Sequence, residues 1–91
     1  MRRRAHFTIG GRVHGVGYRM CAADAADRLG VTGWVRNAGD GTVEIVAEGE
    51  EEKLADFLAW CWRGPSHAVV RSVNEAYAEP TGEFDSFRIV Y

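Results

Sequence analysis

The chain has 91 residues, enough for one two-layer core and too few for two. Hydrophobic residues make up 46% and charged residues 26%; a formal net charge of −2 supplies no general attraction to nucleic acid or to a membrane, so any affinity for an anion must be local. The basic start Met1-Arg2-Arg3-Arg4 precedes no apolar run long enough for a signal core or a membrane span, which favours the cytoplasm, and Cys21 and Cys61 lack the CxxC spacing of a metal site or redox pair.

Residues 4 to 12 alternate, with Phe7 and Ile9 on one face and His6 and Thr8 on the other, the pattern of a half-buried strand. A glycine-rich turn follows: Gly11-Arg12-Val13-His14-Gly15-Val16-Gly17-Tyr18-Arg19. Gly15 and Gly17 can take positive φ, so successive backbone N–H groups can converge on one point, and a following helix adds its positive end. Arg19 at the junction supplies a planar fork of donors suited to a phosphate edge. The stretch reads either as an anion cradle or as a plain strand-to-helix connection with a surface arginine.

Residues 20 to 29 are rich in helix formers, with Ala22, Ala25, Ala26 and Leu29 on one side and Gly30 as the stop. Val31 to Asn37 and Thr42 to Glu48 read as two strands, the second with Val43, Ile45 and Ala47 inward, joined by a hairpin turn at Ala38-Gly39-Asp40-Gly41. Gly49 is expected to cap a helix whose first turn holds Glu50, Glu51 and Glu52, where negative charge suits the helix dipole better than it suggests a metal site. Leu54, Phe57, Leu58 and Cys61 form a buried stripe, Trp60 and Trp62 are expected to pack beside it, and Gly64-Pro65 ends the helix. Ala68 to Tyr77 is a strand whose imperfect spacing implies a bulge; after Pro80-Thr81-Gly82, the alternation of Phe87, Ile89 and Tyr91 gives a last strand running to the C-terminus.

The order strand, helix, strand, strand, helix, strand, strand predicts a single α+β domain over residues 1–91, a ferredoxin-like sandwich. It has a mostly antiparallel five-stranded sheet with two helices on one face. Core strand order 4-1-3-2 brings the glycine loop, the end of the second strand and the hairpin to one edge, with Asn37 two strand spacings, about 10 Å, from the loop. Cys21 and Cys61 fall near that edge too, and are read as two buried free thiols, with a disulfide between them as the alternative the topology allows. The fifth strand should run toward the same edge, where a Tyr91 carboxylate could orient Arg19.

The chain resembles the acylphosphatases nearly end to end. The resemblance is carried by Gly11, Val13-His14-Gly15-Val16-Gly17-Tyr18-Arg19, Leu29-Gly30-Val31-Thr32-Gly33-Trp34-Val35-Arg36-Asn37, Asp40-Gly41-Thr42-Val43-Glu44, Glu48-Gly49, Phe57 with Trp60, Gly64-Pro65 and Phe87-Arg88-Ile89. It implies a small, metal-independent hydrolase of acyl phosphates, without cofactor, acting as a monomer on a small-molecule substrate with inorganic phosphate as product and competing ligand. By the same resemblance the segment His14, Gly15, Val16, Gly17, Tyr18 and Arg19 binds phosphate, and Arg19 and Asn37 are catalytic, Asn37 orienting the attacking water. His14 stands where glutamine is typical and Tyr18 where phenylalanine is typical; the His14 side chain is expected to point away from the phosphate. Two other readings compete: a phosphate-ligand sensor, which has no need of Asn37, and an RNA-binding sheet, against which Glu44 and Glu48 count.

Overall fold

The computed structural model describes residues 1–91, and in it the alternation of the first residues builds the longest strand, β1 (Arg2–Arg12), with Ala5, Phe7 and Ile9 fully buried. The remaining elements are α1 (Tyr18–Leu29), β2 (Thr32–Asn37), β3 (Val43–Glu50), α2 (Glu51–Arg63), β4 (Val69–Ala78) and β5 (Phe87–Ile89). The sheet order is β4-β1-β3-β2-β5, so the expected core order holds and the fifth strand joins the β2 edge, parallel to β2. The β1–β3, β1–β4 and β2–β3 pairs are antiparallel. No helix is long and apolar enough to cross a membrane.

One continuous core lies between sheet and helices. From the sheet it takes Phe7, Ile9, Val35, Val43, Ile45 and Phe87; from the helices, Ala22, Ala25, Ala26, Leu54, Phe57, Trp60 and Cys61. The small alanines of α1 let that helix approach closely, while α2 supplies the bulk, with Phe57 stacked on Trp60 and edge-on to Phe87. The expected bulge lies in β4: Gly10 pairs with Ser72 and Gly11 with Val70, leaving Arg71 as the extra residue. Gly33 has φ 138°, and a Cβ there would stand 1.9 Å from the Val46 carbonyl oxygen, so the tight β2–β3 contact admits no side chain.

Several local expectations need correction. Gly49 does not cap α2; it continues β3 opposite Arg3, and Glu50 occupies the cap position without a side-chain hydrogen bond. Trp62 is 47% exposed, because the buried stripe of α2 passes through Trp60 and Cys61 and turns Trp62 outward. Cys21 is only half-buried, and Cys21 and Cys61 are both free thiols. The last strand ends at Ile89, and Tyr91 stands exposed beyond it.

Glu48 is buried on the face of the sheet opposite the helices, because the segment joining β4 to β5 crosses over it. Its carboxylate accepts hydrogen bonds from the Thr81 and Gly82 N–H groups at 2.8 and 3.0 Å and from Arg4 Nη1 at 3.0 Å. Burial alone would push this carboxyl up, but the backbone donors of Thr81 and Gly82, with Arg4 and the Thr81 hydroxyl, outweigh it and hold the group below the usual glutamate range. A folded-state value below the unfolded one gives stability that is fully present above the ordinary glutamate pKa and is lost as pH falls through the folded value. Glu48→Gln is therefore expected to cost about 1–3 kcal/mol at pH 7. Thermal denaturation should show the gap between the proteins narrowing below about pH 4.3.

Candidate functional site

The loop between β1 and α1 carries the backbone geometry that its glycines permit. Gly15 has φ 72° and Gly17 φ 77°, and an added Cβ at either would meet nothing within 4 Å, so the loop is open on its outer side. Gly17 takes the N-cap position of α1 in the left-handed conformation and offers no side-chain acceptor. The first N–H to be satisfied from the cap is that of Cys21, which donates to the Gly17 carbonyl. The opening turn of α1 holds no acidic residue. Free N–H groups, the positive end of a twelve-residue helix and the absence of competing carboxylates together favour an anion at this point.

Arg19 lies in this first turn, half-buried, and lines a cavity of about 120 Å³. Gly15, Gly17, Tyr18 and Met20 of the loop and helix complete one side, and Asn37, the last residue of β2, lines it from across the sheet. The register explains the juxtaposition: Val43 of β3 pairs with Ile9 on one side and with Asn37 on the other, so Asn37 at the end of β2 stands level with Ile9, two strands away, three residues before β1 ends and gives way to the loop. Arg19 joins none of the ion pairs of the fold, which involve Met1, Arg3, Arg4, His6 and Arg36. Its one aromatic contact is with the Tyr91 ring, 5.0 Å from the guanidinium carbon. The expected approach of Tyr91 thus occurs, but through the ring and not through the carboxylate.

The Asn37 side-chain oxygen, Oδ1, is buried and accepts no hydrogen bond. Such an atom ordinarily costs stability, and the residue that carries it lines a cavity roomy enough for a small ligand or ordered water. Tyr18 is not available for proton transfer: its hydroxyl donates to the Cys61 carbonyl at 2.7 Å inside the core, and burial keeps the phenol protonated far above its usual range. Cys61 is likewise inert, its thiol pushed up to about 12 by burial.

His14 does not line the cavity. Its Nε2–H donates to the Thr42 carbonyl at 2.8 Å, tying the loop to the β2–β3 hairpin. The hairpin is itself fixed by Asp40, which accepts from the Thr42 N–H and hydroxyl; the hydroxyl, then the N–H, hold the Asp40 carboxyl below its usual range. The Asp40-Gly41-Thr42 sequence is recognisable as a turn in which an aspartate caps the residue two ahead, but the long-range tether to His14 has no local signal. A larger depression of about 310 Å³ between α2 and β4 is lined mainly by Leu54, Ala55, Leu58 and Tyr77 and presents no comparable set of anion donors.

The acylphosphatase family model matches residues 5–89, nearly the whole chain. The chain belongs to the acylphosphatase family. Among its relatives, the acylphosphatase of Pelotomaculum thermopropionicum is 47% identical over 99% of this chain and 98% of its own length. That of Methylococcus capsulatus is 49% identical over 97% and 96%. The crystal structure of the acylphosphatase from Bacillus subtilis superposes with a TM-score of 0.95 at 34% identity, covering 98% of this chain and 99% of that one. Membership makes the chain an enzyme, an acylphosphatase with a ferredoxin-like fold.

Proposed function

We propose that the loop His14–Tyr18 and Arg19 hold the phosphoryl group of an acyl phosphate while Asn37 orients the water that cleaves it. The observation that supports this reading is the single cavity lined by an unpaired arginine, the open N-terminus of α1 and Asn37, whose Oδ1 has no hydrogen-bond partner. In this arrangement the N–H groups of residues 15 to 19 and the Arg19 guanidinium bind the phosphoryl oxygens. The water donates one O–H to Asn37 Oδ1, which points its lone pair toward phosphorus. A new P–O bond forms, the bond from phosphorus to the acyl oxygen breaks, and the products are a carboxylate and inorganic phosphate.

The lack of an acid–base pair at the cavity suits this reaction. The leaving carboxylate has a conjugate acid of pKa about 4, comparable to a side-chain carboxyl, so it departs without protonation. The loose transition state of phosphoryl transfer asks little of the nucleophile, and a phosphoryl oxygen can accept the water's proton; the protein supplies position and charge. On this reading neither a metal nor a cofactor is needed and one chain suffices, since every group named comes from a single copy. Purified protein is expected to hydrolyse benzoyl phosphate undiminished by EDTA, with inorganic phosphate as a competitive inhibitor. Activity abolished by EDTA, or inhibition that is not competitive with substrate, would refute the scheme.

A further inference from the structure

The cavity is small, about 120 Å³, and on the reading above the phosphoryl group and the attacking water occupy it. The acyl group then extends toward its mouth. Attack in line places the leaving oxygen on the side of phosphorus opposite the water. With the water at Asn37, the acyl chain leaves away from that wall, over the rim that α1 provides. That rim is not polar. Met20 lines the cavity, yet 68% of it is exposed, at a helical position where solvent would ordinarily meet a charged or polar side chain. The ring of Tyr91, 95% exposed, lies against the Arg19 guanidinium. The loop glycines of the cavity wall, Gly15 and Gly17, bear no side chain and leave the space beside them open.

We infer that Met20 is the specificity-determining residue for the acyl group and selects aryl and longer alkyl acyl phosphates over acetyl phosphate. The inference rests on the phosphate site proposed above. An unbranched thioether adapts to acyl groups of different shape and makes favourable contact with an aromatic ring, whereas an acetyl group is too short to cover it. Because the shelf is open on one side, its discrimination falls at the low end of what one apolar contact gives, about five- to tenfold. The contact exists in the ground state as well as the transition state, so it acts mainly through KM.

The test is the ratio of kcat/KM for benzoyl phosphate to that for acetyl phosphate, taken within each protein so that the intrinsic reactivity of the two anhydrides cancels between variants. Met20→Ser is expected to lower this ratio about five- to tenfold, chiefly through a raised KM for benzoyl phosphate, and Met20→Leu to restore most of it. Met20 is exposed, so neither change threatens the core. An unchanged ratio in Met20→Ser, or an equal loss on both substrates, would overturn the shelf. Failure of the unaltered protein to turn over either anhydride, or of inorganic phosphate to compete, would remove the phosphate site and the shelf together.

Discussion

Arg19→Ala is expected to lower kcat/KM for benzoyl phosphate by about 10³ to 10⁵, roughly 4–7 kcal/mol of transition-state stabilisation, the range found for arginines that meet the charge of a transferring phosphoryl group. The structure separates this loss from a loss of fold. Arg19 makes no ion pair, lies in the first turn of α1, has its one aromatic contact with the Tyr91 ring and is not among the core residues, so the core of Phe7, Phe57 and Trp60 does not depend on it. Thermal denaturation of the variant should therefore fall close to that of the unaltered chain. Arg19→Lys keeps the charge but exchanges a planar two-pronged donor for a point charge, and is expected to recover only a small part of the rate. Substantial turnover by a folded Arg19→Ala protein would place the chemistry elsewhere.

What could be read in the sequence and what could not divides along the reach of the interactions. The alternation of Phe7 and Ile9, the stripe of Leu54, Phe57 and Cys61, and the glycines at 15 and 17 are local patterns, and each folds as its spacing implies. Strand order follows from the order of elements, two strand-helix-strand halves joined by a hairpin, and that order puts Asn37 on the loop's edge of the sheet. Glu48 shows the limit. Its place in an alternating strand marks it as a solvated charge, yet it is buried, because a segment more than thirty residues later crosses the open face and turns two N–H groups onto it. The outward turn of Trp62, the capture of the His14 ring by Thr42 and the seating of the Tyr91 ring on Arg19 share this character. Each depends on a partner distant in the chain or on a helix phase one residue from the expected one. The glycine loop with Arg19 is a local pattern that reads either as a cradle or as a plain connection, Asn37 joins it only through strand order and the resemblance, and the groups that brace the loop leave no local signal.

Asn37→Ala is expected to lower kcat by about 10² to 10³, the loss that follows when a reacting group is misplaced or one positioned hydrogen bond is removed, while the inhibition constant for inorganic phosphate changes little. Stability supplies an independent check. An oxygen that is buried without a partner costs about 1–3 kcal/mol in the free enzyme, less whatever a water in the cavity returns. Removing it should leave the melting temperature unchanged or slightly raised, whereas an Asn37 serving only to pack the end of β2 would lower it on truncation. Asn37→Asp sharpens the distinction. The carboxylate can still accept the water's O–H, but it adds negative charge across the cavity from Arg19, so phosphate inhibition should weaken along with turnover. A water-holding amide thus predicts three separable outcomes: lost kcat with intact phosphate binding in the alanine variant, undiminished stability in that same protein, and weakened phosphate binding only when charge is introduced. Loss of phosphate inhibition in Asn37→Ala would instead make this residue part of the cradle, and the attacking water would have to be held by another group on the cavity wall.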